Sequence, residues 1–265
     1  MDRGIVLVEN LDIGDIPNTP KNSNFNNLTL NPSRNILLKY AQVYGWPISF
    51  AQEQKGELIQ NIFPIKKTEN QQISTSSKIE LGLHTETAFH PYKPTAVLLL
   101  CLRGDPNAIT TYAYIDEIVK HLEPSVIDTL TKLWFTTSID ESFRTNGELD
   151  MEITCSILRE DFSKNVNVDR FFNITYDEVL MKGINDEATN ALMHLKNAIK
   201  NCTREIVLKT GDLLVINNKT TVHGRRPFDA RYDGTDRWVQ RILAIDTLPP
   251  TSHRDGHVII TKFGK

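Results

Sequence analysis

The apolar residues of this chain recur with two different periods. Near the start, GIVLVENL is a short apolar run of strand length, and the Asn- and Pro-rich segment from Ile16 to about Arg34 predicts an irregular connection. The spacing then changes. In NILLKYAQVYG, Leu37, Leu38, Ala41 and Tyr44 fall at helical intervals, and Gly45 is placed to end the helix. TAVLLLCLRG, residues 95 to 104, is an unbroken apolar run whose length suits a buried strand. Residues 115 to 135 return to helical spacing, interrupted at Pro124, and DEATNALMHLKNAIK sets Ala188, Ala191, Leu192, Leu195 and Ile199 on one face of an amphipathic helix. With no internal repeat, the pattern predicts mixed α and β structure in which helices decorate a sheet. At 265 residues, one domain over 1–265 is expected.

The last third carries more. REIVLKTGDLLVINNKTTVHGRRPF reads as a strand, a Gly211-Asp212 turn, an apolar strand over 213 to 216, and a polar turn that delivers His223. In DRWVQRILAID, alternation across a strand sets Arg237, Val239, Arg241, Leu243 and Ile245 on one face and Trp238, Gln240, Ile242 and Ala244 on the other. Both faces are largely apolar, so each arginine is costly to bury unless it meets an anion or an acceptor. The sequence offers no obvious carboxylate beside either one. Small-molecule carboxylates are therefore the expected partners of both.

Composition removes several classes of function. A formal net charge of -3 and a pI near 6.2 give no global attraction to nucleic acid or to an anionic membrane. Cys101, Cys155 and Cys202 are too scattered for a disulfide framework or a cysteine-rich zinc site, which suits a reducing cytoplasm. The first residues lack the pattern of a signal peptide, and no segment approaches the roughly 20 apolar residues that span a bilayer. A soluble cytoplasmic protein is expected, and Asn-x-Ser/Thr matches such as NLT at Asn27 are then incidental.

Candidate chemistry lies in LGLHTETAFHPY, residues 81 to 92. In an extended segment, His84 and Glu86 project to one side, and a distant histidine can complete a two-histidine, one-carboxylate set. His223 is that histidine. Three ligands on one face of an octahedron leave three positions for a chelating co-substrate and dioxygen, an arrangement that suits iron(II). Alone, the pair is weak evidence and reads better as two surface polar side chains; the distal HGRRPF and the two same-face arginines give it weight. The other histidines have plainer readings. His90 precedes a proline and reads as structural, His121 and His194 lie on helical segments, and His253 and His257 lie in a polar tail. Arg225 and Arg226 read as stabilisers of the turn after His223, and Trp238 as core.

LHTETAFHPYKPTAVLLLCLRGD, followed by GDLLVINNKTTVHGRRPFDARYDGTDRWVQR, resembles the clavaminate synthase-like branch of the iron(II)- and 2-oxoglutarate-dependent oxygenases, the TauD/TfdA superfamily group that holds the free arginine and lysine hydroxylases. The resemblance runs from about Gly4 to Ile245 and implies a double-stranded β-helix, or jelly roll, flanked by helices. It implies iron(II) on His84, Glu86 and His223, with 2-oxoglutarate and O2 as co-substrates. Arg237, fourteen residues beyond His223, would grip the C5 carboxylate of 2-oxoglutarate, assisted by Thr111 or, as the alternative, Thr110. Arg241 would hold the carboxylate of an amino-acid substrate. Gln52 or Gln54, Ser74 or Ser76, and Glu86 would contact the rest of its amino-acid end. Asp177 and Glu178 are nearest to the acidic element that reads a guanidinium in the arginine hydroxylases. The implied reaction is hydroxylation of an amino acid or derivative. Glu86 argues against halogenation, whereas desaturation or cyclisation, and a carrier-tethered substrate, remain alternatives. A non-redox metal hydrolase or a metal-bound sensing module is also open, but neither needs Arg237. The family carries a helical region before its first strand, which an open lid or an oligomer would replace here.

Overall fold

The computed structural model describes residues 4–22, 31–140, 143, 151–162 and 170–261; Asn27 and part of the expected irregular connection lie outside them. Two sheets position the site. The larger runs in the order Ile5–Val8, Leu213–Asn217, Ala96–Arg103, Trp238–Ile245, Trp46–Phe50, Val258–Ile259 and Arg254–Asp255, with Gln60–Ile62 also paired to Trp238–Ile245. Its pairings are antiparallel except that of Val258–Ile259 with Trp46–Phe50. The smaller sheet runs Arg204–Ile206, Thr110–Tyr114, Thr221–Arg225 and Leu81–His84.

The unbroken apolar runs are explained by burial on both faces. Leu98, Leu100, Val215, Ile242 and Ala244 share one face of the large sheet with Leu37 and Ala41 of the Asn31–Tyr44 helix. Val97, Leu99, Leu214, Ile216, Val239 and Leu243 occupy the other face, with Phe89 and Phe143. A register slip between Trp238 and Val239 does not disturb the alternation expected for this strand. Trp238 is fully buried, as expected, and its Nε1 donates to Asn61 Oδ1 at 2.9 Å.

The Asp186–Cys202 helix covers the smaller sheet, packing its predicted apolar stripe with Ala113 and Val222. Its start is capped by Asn185, whose side chain accepts from the Ala188 N–H at 2.8 Å, and Asp186 and Glu187 complement the positive end of the helix. Asn185→Ala should cost about 1 kcal/mol and lower the thermal midpoint by about 2–4 °C; an unchanged melting curve would contradict the cap. Pro124 divides residues 115 to 135 as expected. It opens the Pro124–Leu130 helix at a position where its missing N–H costs nothing. Among the described residues, no helix is long and apolar enough to cross a membrane.

Candidate metal centre and its cleft

The Leu81–His84 and Thr221–Arg225 strands run antiparallel with His84 directly opposite His223, so strand register alone brings two distant imidazoles together. Their ring centroids are 4.6 Å apart. Glu86 follows just beyond the strand end, and one donor atom from each of His84, Glu86 and His223 lies within 4.8 Å of the others. Neighbouring groups aim these donors. His84 Nδ1 donates to the Gly82 carbonyl at 2.8 Å, which fixes the tautomer and leaves Nε2 as a lone pair. Burial, then the proximity of His84 and Arg241, holds the His223 pKa well below its usual value, so its imidazole is neutral, the form a metal takes. Glu86 Oε1 accepts from Arg241 Nη1 at 2.7 Å, while Oε2 lies 3.9 Å from His223 Nε2. Only one carboxylate oxygen is left facing the imidazoles.

The backbone at Glu86 is held by Asn218. Its Oδ1 accepts from the Glu86 N–H at 2.7 Å, and its Nδ2 donates to the Glu86 and Pro94 carbonyls at 3.1 and 2.9 Å. Asn218 is buried in the turn between the Leu213–Asn217 and Thr221–Arg225 strands, so it ties the Glu86 segment to the element that carries His223. Asn218→Ala should weaken metal binding about 10–100-fold, the usual effect of removing a group that orients a ligand; wild-type affinity in the variant would deny it that role.

Two imidazoles and one carboxylate with a single oxygen turned to them fit a divalent iron with open positions better than a closed tetrahedral zinc site. Two cavities adjoin this point. The smaller, about 60 Å³, lies between the sheets and is lined by Leu99, Val239 and Arg237 from one side and Thr110, His223 and Arg225 from the other. Arg237 is buried, and its guanidinium makes no hydrogen bond or ion pair among the described residues. Burial lowers its pKa. Arg225 is also buried and donates only to neutral acceptors, the Ser74, Ile79 and Arg226 carbonyls and Ser76 Oγ. Burial, then the charge of Arg237, pushes its pKa down to about 9. Arg225 thus does more than stabilise a turn, since it adds a further cation to a cavity whose lining carboxylate, Glu86, is already paired to Arg241. Arg226, read with Arg225 as a stabiliser of the turn, is exposed and pairs with Glu80 and Glu205.

The threonine facing this cavity is Thr110, the alternative, and not Thr111. Thr110 stands opposite Arg225 and shares its face, whereas Thr111 stands opposite Gly224 with its hydroxyl turned to the other face.

The larger cavity, about 220 Å³, is lined by Glu53, Ser74, His84, Glu86, Asp140, Asp177 and Arg241 among others. Here the expectation of an arginine without a protein carboxylate fails for Arg241. Its guanidinium donates to Glu53 at 3.0 and 3.1 Å, to Glu86 at 2.7 Å and to Gln60 at 2.9 Å. Although burial disfavours its charge, Glu53 and Glu86 outweigh that cost and raise its pKa. Arg241→Ala would leave two buried carboxylates facing each other, a change that costs about 3–5 kcal/mol. The variant is expected to lose stability and metal affinity together; wild-type affinity in a folded variant would reduce Arg241 to a substrate group alone.

Gln52 and Gln54 do not reach the cleft. Gln52 Nε2 donates to the Thr261 carbonyl at 2.6 Å, and exposed Gln54 donates to the Asn61 carbonyl at 3.3 Å. Glu53, between them, points inward instead, at the turn where Gln54 and Lys55 adopt positive φ. Ser74 lines both cavities, while Ser76 supports Arg225. Asp177 lines the larger cavity and also caps the Val179 and Leu180 N–H groups through Oδ1. Glu178 turns to the Leu83 N–H. His90 is structural, as expected: burial lowers its pKa to about 3, its Nδ1 accepts from the Tyr92 N–H, and it meets the Phe50 ring edge-on. His121, His194, His253 and His257 are exposed.

Fold and site together define a protein with a candidate two-histidine, one-carboxylate metal centre between two mainly antiparallel sheets, beside a buried cationic recess. The chain belongs to the Taurine catabolism dioxygenase TauD, TfdA family, whose model matches residues 2–243. It is 31% identical to an L-lysine 3-hydroxylase of Catenulispora acidiphila, over 99% of this chain and 74% of that protein. A solved structure of asparagine oxygenase in complex with Fe(II), 2S,3S-3-hydroxyasparagine and succinate superposes with a TM-score of 0.84 at 30% identity, covering 98% of this chain and 80% of that one. The non-heme iron oxygenase OrfP in complex with Fe and alpha-ketoglutaric acid gives a TM-score of 0.81 at 31% identity, over 93% and 76% of the two chains.

Proposed function

We propose that this protein is an iron(II)- and 2-oxoglutarate-dependent oxygenase that hydroxylates a C–H bond of an amino acid, on a double-stranded β-helix formed by its two main sheets. His84, Glu86 and His223 hold the iron. With 2-oxoglutarate and dioxygen, bound iron supplies hydroxylation coupled to decarboxylation of the keto acid to succinate.

The protein's own work is placement. Arg237 receives the distal carboxylate of 2-oxoglutarate, with Thr110 beside it and Arg225 adding positive potential. Arg241 holds Glu86 to a single outward oxygen and, with Glu53, frames the larger cavity with one cation between two carboxylates. That frame suits a zwitterion, the substrate carboxylate turned to Arg241 and its ammonium to Glu53 and Glu86. At about 220 Å³ the cavity is smaller than the roughly 300–1,000 Å³ of drug-sized sites, which favours a free amino acid over a peptide. The lysine and asparagine named in the relatives above fall in this class. Asp140 and Asp177 at its wall favour a polar or cationic side chain.

The observation that carries this reading is Arg237, a buried cation with no hydrogen bond or ion pair among the described residues, in the same cleft as the candidate ligands. The test is an aerobic incubation with iron(II), ascorbate, 2-oxoglutarate and a panel of cationic, amide and apolar amino acids, read by mass for a gain of one oxygen and for succinate. Hydroxylation of a polar or cationic member is expected; no succinate with any member would reject the activity.

A further inference from the structure

Asn218, which holds Glu86, also lines a second and larger cavity of about 600 Å³ that shares no lining residue with the two cavities of the cleft. Three of the segments that line it adjoin the candidate metal centre. Residues 91–95 follow the stretch that carries His84 and Glu86, the Asn218-Lys219 turn precedes His223, and residues 245–250 continue from the strand that carries Arg241. Much of the wall is apolar, including Leu133, Ile157, Ile174 and Leu248. The volume falls within the roughly 300–1,000 Å³ typical of small-molecule sites.

The charges inside do not balance. Lys219 is matched by Asp246, the two side chains 2.5 Å apart. Lys93 and Arg159 have no such match: neither side chain makes a hydrogen bond or ion pair among the described residues. Burial pushes the Lys93 pKa down, against the opposing influence of Cys155, and the charge of Arg159 pushes the same way. Arg159 is exposed, but the half-buried Lys93 ammonium beside it, against an apolar wall, is favoured by an incoming counter-charge.

We infer that this cavity binds a small organic anion, with a carboxylate or phosphate head between Lys93 and Arg159 and an apolar body against the Ile157, Ile174 and Leu248 side. An uncharged ligand of the same shape would leave the two cations uncompensated, so the charge of the head is the main determinant. The site is separate from the recess at Arg237, and the inference does not depend on the reaction proposed above.

The test is calorimetric titration of the whole chain with phenylphosphonate, benzoate and benzyl alcohol, which share a ring and differ in the head. One equivalent of an anion is expected to bind, phosphonate or benzoate identifying the head, with the alcohol at least tenfold weaker. Lys93→Met and Arg159→Met should each weaken the anion at least tenfold, Lys93→Arg should retain it, and Arg237→Met should leave it unchanged. Lys93→Met should also melt no lower than wild type without ligand, because it removes an unmatched charge while keeping the stem. Failure of both anions to bind, equal binding of the alcohol, or binding that survives Lys93→Met and disappears in Arg237→Met would overturn the site.

Discussion

His84→Ala and His223→Ala should each abolish 2-oxoglutarate turnover and iron binding while leaving the fold intact. Each removes one of three donors, and the loss should exceed the roughly 10–100-fold that follows from disturbing a group behind a ligand. The two positions face each other across one strand pair, so a bound metal would sit on rigid sheet and not on a loop. Neither imidazole holds the core together. Among the described residues His223 Nδ1 has no hydrogen-bond partner and the His84 ring bonds to the nearby Gly82 carbonyl alone, so alanine at either position breaks no long-range hydrogen bond there. Circular dichroism would verify folding, and iron titration with succinate analysis would measure the effect. Wild-type succinate production in either variant would remove that histidine from the set.

Arg237→Ala should raise the 2-oxoglutarate concentration needed for half-saturation by the equivalent of about 2–5 kcal/mol, or roughly 30-fold to several-thousand-fold. The free protein should behave in the opposite sense. Arg237 is a buried cation with no hydrogen bond or ion pair among the described residues, so its removal relieves a desolvation cost, and the ligand-free variant should melt no lower than wild type. Arg241→Ala differs because it strips two buried carboxylates of their cation. The two arginines sit on one strand and line one cleft, yet their substitutions should move stability in different directions. A large loss of stability in ligand-free Arg237→Ala, or an unchanged 2-oxoglutarate requirement, would contradict this division.

The different fates of these arginines mark the limit of what the sequence could tell. Alternation along DRWVQRILAID correctly set both on one face, because the pleat is a local property of the chain. Glu53, Arg241's partner, lies 188 residues away, and nothing local to either residue announces the pair. The same distinction explains Gln52 and Gln54. The family resemblance pointed to the stretch that holds Glu53, but the side chain facing inward is set by the turn at Gln54–Gly56, where Gln54 and Lys55 adopt positive φ. Thr110 and Thr111 differ by one position, and in a strand one position reverses the face. The candidate ligands were legible because His-x-Glu and a distant His-Gly-Arg are compact patterns. Asn218 was not, since its buried backbone clamp resembles, in sequence, any polar turn residue. The long apolar strands and the Asp186–Cys202 helix were read correctly because burial on one or both faces leaves a direct imprint on hydrophobic periodicity.

The most direct test of the proposed centre is anaerobic titration of the iron(II)-loaded protein with 2-oxoglutarate, followed through the visible metal-to-ligand charge-transfer band. The band should develop and saturate in the wild type, require far more 2-oxoglutarate in Arg237→Ala, and be absent in His223→Ala. Its absence from the wild type, or an identical titration in Arg237→Ala, would contradict the assignment of iron to His84, Glu86 and His223 with 2-oxoglutarate anchored at Arg237.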